Sequence, residues 1–271
     1  MPKSSATPNI CAIVCIRNED RYLKELVEHL EKEGIEAFFI DNGSTDGSRE
    51  TIEKHIGGNV LGVRDLPHRG SFSLVDQLQA KAEVEQTLRH EWVMHVDADE
   101  IHHASSDGTR LVDVAGLSDE AGCNVVNFEE FVFLPEADHD GTDVGAHLDV
   151  LRYYYFAPVP ERLLRLYRRG QGLDNRPGAG HRLRGDARIY PQPQVLRHYI
   201  TLDQDHLLQK YVGRAFDPSE LGQGWHHNRV GLTAEMLSLS RADHDQFEYL
   251  PARESRAFIR DRPRKRHFWS W

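Results

Sequence analysis

Apolar and polar positions alternate between two periods along the first hundred residues. Residues 10–16 (ICAIVCI) are a continuous apolar run rich in β-branched side chains, the pattern of a strand covered on both faces. Over 20–33 the apolar residues Leu23, Leu26, Val27 and Leu30 fall at i, i+3, i+4 and i+7, one face of a helix. Gly34 stands where that helix should stop. The unit then repeats. Residues 35–40 (IEAFFI) predict a second strand, followed by the turn Asp41-Asn42-Gly43. Thr45 or Asp46 can cap a short helix reaching His55, and residues 59–64 (NVLGVR) form a third strand. A longer helix spans 72–89, with Leu74, Val75, Leu78 and Ala82 on one side. The fourth strand, 91–96 (EWVMHV), runs straight into Asp97-Ala98-Asp99-Glu100.

Strand and helix alternating in this way imply an α/β fold, with a mixed, mostly parallel sheet flanked by helices and right-handed crossovers. Ligands of such sheets bind outside the carboxyl ends of the strands. The acidic turns at 41–46 and 97–100 both follow strands directly, so they should share one edge. Beyond residue 101 the pattern weakens. Residues 124–134 read as one or two strands and 163–167 as another apolar segment. The Gly- and Pro-rich stretch 170–193 reads as loops near the site, and 203–214 and 232–240 as helices. The expected organisation is a disordered 1–8, one domain over 9–250 and a basic tail over 251–271. Within the domain, 9–105 is the half whose strand ends should bind a ligand, and 106–250 is the remainder.

A formal charge of -10 argues against a nucleic-acid partner, which normally demands a basic footprint. The last nineteen residues depart from that balance, with seven Lys and Arg against Glu254 and Asp261. Such a tail could touch an anionic acceptor or lie peripherally on a membrane, with Trp269 and Trp271 at the interface; a solvated end is the plainer reading. Cys11 and Cys15 fall in the first apolar run and read as reduced core residues. The amino terminus has no apolar stretch of signal-peptide length, and the expected location is cytoplasmic.

The sharpest chemical feature is Asp97-x-Asp99 at a strand end. A hard cation such as Mn²⁺ or Mg²⁺ takes one or two carboxylates together with phosphate oxygens and water, and then neutralises charge on a leaving diphosphate. A lone acidic turn is usually a solvated loop. A second acidic turn on the same edge changes that balance. In that second turn, Asp41 could accept from a nucleoside or simply close the turn, whereas Ser44 and Thr45 read as turn and cap residues.

The segments VCIRNED, IEAFFIDNGSTDG and WVMHVDADE, in this order over residues 1–105, resemble the opening of family 2-type glycosyltransferases of the GT-A fold. They are most similar to the branch with an R-N-E first strand end and a D-N-G-S-x-D second turn. The resemblance implies that Arg17, Asn18, Glu19, Asp41 and Asn42 line a nucleotide pocket. It also implies that Asp97 and Asp99 hold a diphosphate through Mn²⁺ or Mg²⁺, with Glu100 in support. The expected activity is transfer of a sugar from a nucleotide-sugar donor, UDP-sugar favoured, to a glycan, lipid-linked or small-molecule acceptor, with inversion.

The late "E-D" base motif of that family is not evident. The segment His198-Tyr199-Ile200-Thr201-Leu202-Asp203-Gln204-Asp205-His206, followed by Lys210 and Arg214, stands in its place. Asp205 and Asp203 are candidates for the base that takes the acceptor proton, against a competing role as helix N-terminal charges. His198 could be a third metal ligand or a packed histidine. Trp225 could stack on a sugar, and His226, Arg229 and Arg69 could meet phosphate. Two other readings remain: a nucleotidyltransferase, disfavoured by the acidic, glycine-free turn at 17–20, and a non-catalytic nucleotide-sugar-binding module.

Overall fold

A computed structural model describes residues 7–241 and 244–271. Strands β1 (Ile10–Ile16), β2 (Ile35–Asp41), β3 (Val60–Asp65) and β4 (Trp92–Val96) alternate with helices α1 (Asp20–Lys32), α2 (Ser48–Glu53) and α3 (Leu74–Thr87). They pair in parallel in the order β4-β1-β2-β3. All seven residues of β1 are buried, as its uninterrupted apolar run requires at the centre of a sheet. Helix α1 buries Leu23, Leu26, Val27 and Leu30 together with Tyr22. Gly34 follows it in the left-handed region at φ 75°, which a residue with a Cβ adopts only at a cost.

The next elements turn the sheet antiparallel. They are β5 (Glu100–His103), α4 (Leu111–Glu120), β6 (Val125–Phe133), β7 (Arg152–Phe156) and β8 (Leu163–Arg168). β8 inserts between β4 and β6, antiparallel to both, and β7 pairs antiparallel with β6. A small hairpin, β9 (Asp174–Gly178) with β10 (Arg182–Arg184), occupies the glycine-rich stretch that reads as loop. Then come β11 (Gln194–Tyr199), α5 (Gln204–Tyr211), α6 (Pro218–Gly222) and the edge strand β12 (Glu248–Tyr249). β11 is parallel to β6 and antiparallel to β5, so its end arrives beside the turn that follows β4.

Three expectations change. Residues 232–240 form turns and the start of one 3-10 turn rather than a helix, because Leu232, Leu237 and Leu239 reach a hydrophobic cluster without a helical backbone. α3 buries Leu78, Ala80, Lys81 and Val84 and leaves Val75 exposed, so its inner face is rotated from the one the leucines predict. The basic tail is neither a separate unit nor a solvated end. Phe258, Phe268 and Trp269 are buried, and Phe258 stacks on Phe131 at 4.1 Å. Arg260 pairs with Glu129, Arg262 with Glu248, and Arg264 exchanges backbone hydrogen bonds with Tyr155 and Ala157. Of the two tryptophans that could have met a membrane, Trp269 is consumed as core while Trp271 stays 39% exposed, and Arg260 and Arg262 face carboxylates. At the other end, Pro8 is buried, and residues 1–6 of the expected disordered terminus lie outside the described residues. Among the described residues no helix is long and apolar enough to cross a membrane.

Candidate nucleotide-sugar site

The carboxyl ends of β1 and β4 and the turn after β2 open onto one cavity of about 850 Å³. Arg17, Asn18 and Glu19 enter it from the β1 end, Asn42 from the β2 end, and Asp97, Asp99 and Glu100 from the β4 end. The two acidic turns thus face a shared crevice. Asn18 joins them from a left-handed backbone at φ 56°, a conformation that a non-glycine residue keeps only when its surroundings enforce it. Its side-chain oxygen accepts from Thr45 N at 2.7 Å, and its own N–H donates to Ser44 Oγ at 3.1 Å. Glu19 N donates to Ser48 Oγ at 2.8 Å. Ser44 and Thr45 therefore clamp one strand end to the other, where the sequence predicts only a turn and a cap.

The D-x-D turn is wrapped in cations. Asp97 faces Lys81 at 3.5 Å and Arg165 at 3.2 Å, both almost wholly buried, while its own side chain stays 47% exposed toward the cavity. Arg165 also reaches Glu100 at 3.0 Å, and the second Glu100 oxygen accepts from Asp97 N at 3.1 Å. Glu100 thereby closes the turn. Burial works against the Asp97 carboxylate, but Arg165 and Lys81 outweigh it and hold the group below the usual carboxylate range. Asp99 accepts from Lys210 at 2.6 Å and lies 3.3 Å from His198 Nε2. Burial again opposes its charge, and Lys210 and then His198 overcome it. Glu19, whose carboxyl enters the cavity, is pushed up to about 7 by burial.

His198 and Asp99 pass a geometric test as neighbouring metal ligands. Bonds of roughly 2.1 Å at right angles place two donors ~3 Å apart, close to the 3.3 Å found. His198 Nδ1 lies 2.6 Å from Glu130 Oε1, the carboxylate–histidine arrangement that fixes a ligand's tautomer. The cluster of His29, Glu33 and His103, whose ligand atoms lie within 4.8 Å of one another, is a poorer cation site. Arg256 donates to His103 Nδ1 at 2.9 Å, and Lys32 and Arg197 add positive charge around it.

Other expected residues fall outside the wall. Asp41 is buried behind Asn42, accepting from Ser44 N at 2.9 Å and facing Arg49 at 3.9 Å. Arg69 points to solvent beside Asp76, although its neighbours His68 and Gly70 line the cavity. Asp203 is the N-cap of α5, accepting from His206 N at 2.7 Å and from Arg21 at 2.8 Å. Asp205 is exposed in the first turn of that helix and does not line the cavity. For both, the role as a helix N-terminal charge describes what is seen. Trp225, His226 and Arg229 do line the cavity. His226 is committed to Glu220 at 2.8 Å and stacks on Phe216 at 4.7 Å. Arg229 lies over the Tyr211 ring.

Several wall residues go unmarked in the sequence reading: Lys81, Glu130, Arg162, Arg165, His181 and His267. Arg165 sits within the apolar run LLRLY, and a charge at an inward position of a strand was the available signal. Although the chain carries -10 overall, the wall holds eight Lys and Arg (17, 81, 162, 165, 210, 214, 229, 265) against five Asp and Glu (19, 97, 99, 100, 130). Arg17 Nη1, His68 Nδ1 and His181 Nδ1 are buried there without a hydrogen-bond partner among the described residues. A crevice of this sign with unspent donors suits a polyanion.

Comparison with curated proteins gives no match. Among solved structures the chain is similar to S. aureus TarS. The fragment TarS 1–349 in complex with UDP-GlcNAc is 19% identical over 59% of this chain and 45% of that chain, with TM-score 0.39. For S. aureus TarS the values are 15%, 79%, 42% and 0.44. For TarS 1–349 in complex with UDP they are 15%, 79%, 69% and 0.44. This chain spans less than half the length of the first two, and likenesses this faint carry no argument about its ligands. The sequence pattern of Glycosyl transferase family 2 matches residues 11–133. That segment, which is less than half of the chain, carries both strand-end turns of the crevice, and over it the chain is similar to glycosyl transferase family 2.

Proposed function

We propose that the chain is a glycosyltransferase that takes a nucleotide-diphosphosugar, a UDP-sugar by preference, and passes the sugar to an acceptor hydroxyl with inversion. The observation that carries this reading is the meeting of the R-N-E and D-x-D-E strand ends in one cation-rich crevice. Arg17 and Asn42 stand where a nucleoside would enter, and Trp225 offers a ring face to a sugar. Arg229 and Arg214 add positive charge for the diphosphate.

Asp99 and His198 would hold Mn²⁺ or Mg²⁺, with Asp97 of the same turn approaching it and Glu130 orienting His198. The bound cation would neutralise the charge that gathers on the leaving diphosphate. Lys81 and Arg165 keep Asp97 ionised and fixed, so its carboxylate is preorganised. Asp203 and Asp205 do not reach the cavity, and Glu130 is committed to His198, which leaves Glu19 as the wall carboxylate that could take the acceptor's proton.

The test is release of nucleoside diphosphate from a panel of nucleotide-sugars, with and without acceptor and Mn²⁺. Asp99→Ala should remove acceptor-dependent release, as should excess chelator, while the melting profile stays cooperative. Full activity in either condition refutes the metal role. Release of pyrophosphate from a nucleoside triphosphate and a sugar phosphate would replace the reading with nucleotidyl transfer.

A further inference from the structure

The cations around the D-x-D turn are of two kinds. Lys81 and Arg165 are 4% and 5% exposed and come from the interior faces of α3 and β8. Lys210 lies in the last turn of the eight-residue helix α5, directly before the loop 212–215 that lines the cavity. Its ammonium reaches Asp99 Oδ2 at 2.6 Å and passes 5.5 Å from the centre of the Tyr22 ring. The oxygen that Lys210 holds is the one 3.3 Å from His198 Nε2, the donor pair best placed for a divalent ion. An ammonium 2.6 Å from that oxygen competes with a divalent ion for the same carboxylate and repels it.

We propose that Lys210 is an internal counter-ion that closes the metal site until a nucleotide diphosphate arrives. The diphosphate then draws the ammonium away from Asp99 and frees the carboxylate for the divalent ion. This inference rests on the metal-dependent reading above and adds an order to it. Each charge keeps an opposite partner in both states. At rest Asp99 is neutralised by Lys210; when loaded, Asp97 and Asp99 face the divalent ion and Lys210 faces the diphosphate. Lys210 is a positioning residue, acting through Asp99 on the metal and through its charge on the phosphates. Because binding free energies are reciprocal, the nucleotide must strengthen metal binding by the same factor that the metal strengthens nucleotide binding. Part of that factor belongs to Lys210.

The test is titration of the full chain with Mn²⁺, followed by the electron paramagnetic resonance signal of free Mn²⁺, with and without UDP. The wild type should bind Mn²⁺ weakly alone and more tightly with UDP. Lys210→Met should bind Mn²⁺ alone at least tenfold more tightly than the wild type. It should also gain at least tenfold less from UDP. Lys210→Arg, which keeps the competing charge, should behave as the wild type, and Lys210→Gln serves if the methionine variant does not fold. Equal Mn²⁺ affinity of wild type and Lys210→Met without nucleotide overturns the inference while leaving the metal reading intact. Failure of every variant to bind Mn²⁺ even with UDP overturns both.

Discussion

Arg165 is the residue on which the floor of the crevice turns. It is 5% exposed, and one nitrogen, Nη2, serves both Asp97 at 3.2 Å and Glu100 at 3.0 Å. Glu100 is 3% exposed, so replacing Arg165 with methionine leaves a carboxylate buried beside an aliphatic chain. Breaking a buried pair by removing one partner costs about 3–5 kcal/mol. In a chain of this size each kcal/mol lowers Tm by roughly 2–4 °C, so Arg165→Met should melt roughly 6–20 °C below the wild type. Glu100→Gln in the same chain removes the stranded charge yet keeps an oxygen for Asp97 N. The double variant should therefore recover at least half of the loss, and the two substitutions should couple by about 2 kcal/mol in a double-mutant cycle. The assay is thermal and urea unfolding of the four proteins at one pH. An Arg165→Met variant melting within ~2 °C of the wild type, or one that Glu100→Gln does not rescue, would refute the account of this pair.

Other expectations concern the surrounding framework. Burial lowers His147 to about 4 and His206 to about 3, and both pack edge-on against Tyr22. Their contribution is complete above ~pH 6.5, where the unfolded imidazoles are neutral, and is lost as pH falls toward those values. Urea unfolding should show several kcal/mol of lost stability between about pH 6.5 and 4, and His147→Gln should flatten part of that slope; a pH-independent stability would contradict it. Trp269→Ala should cost roughly 3–5 kcal/mol as a core truncation. The wild-type chain should not co-float with anionic vesicles, and flotation abolished by that variant would restore a membrane role for the tail. At Gly141 a Cβ would stand 2.5 Å from Leu202 O, so Gly141→Ala should destabilise by about 1–3 kcal/mol in the same unfolding assay.

The amino-terminal half was legible because its signals are local. A buried parallel strand announces itself as a run such as ICAIVCI, an amphipathic helix as Leu23-Leu26-Val27-Leu30, and a strand end as an acidic turn. The alternation alone placed Asp97, Asp99 and Asn42 on one edge, where the structure has them. The carboxyl-terminal half was not legible in the same way. β6 pairs with β7, β8 and β11, strands distant in sequence, and nothing in the residue pattern of one strand names three partners. The tail shows the same limit, because its arginines read as a solvated charge run until Glu129 and Glu248 are brought opposite them. Asp203 and Asp205 show a different one. A carboxylate at the start of a helix looks alike in sequence whether it caps the helix or serves a substrate, and only the position of the cavity separates the two. Lys81 is hidden on a helix whose leucines draw attention to another face.

The most direct measurement is a crystal structure of the chain with UDP and Mn²⁺. The account predicts the diphosphate against the D-x-D turn, the cation on Asp99 and His198, and Lys210 turned from Asp99 toward phosphate. A nucleotide bound outside the crevice, or one seated there with Asp97 and Asp99 facing away from it, would contradict the account at its centre.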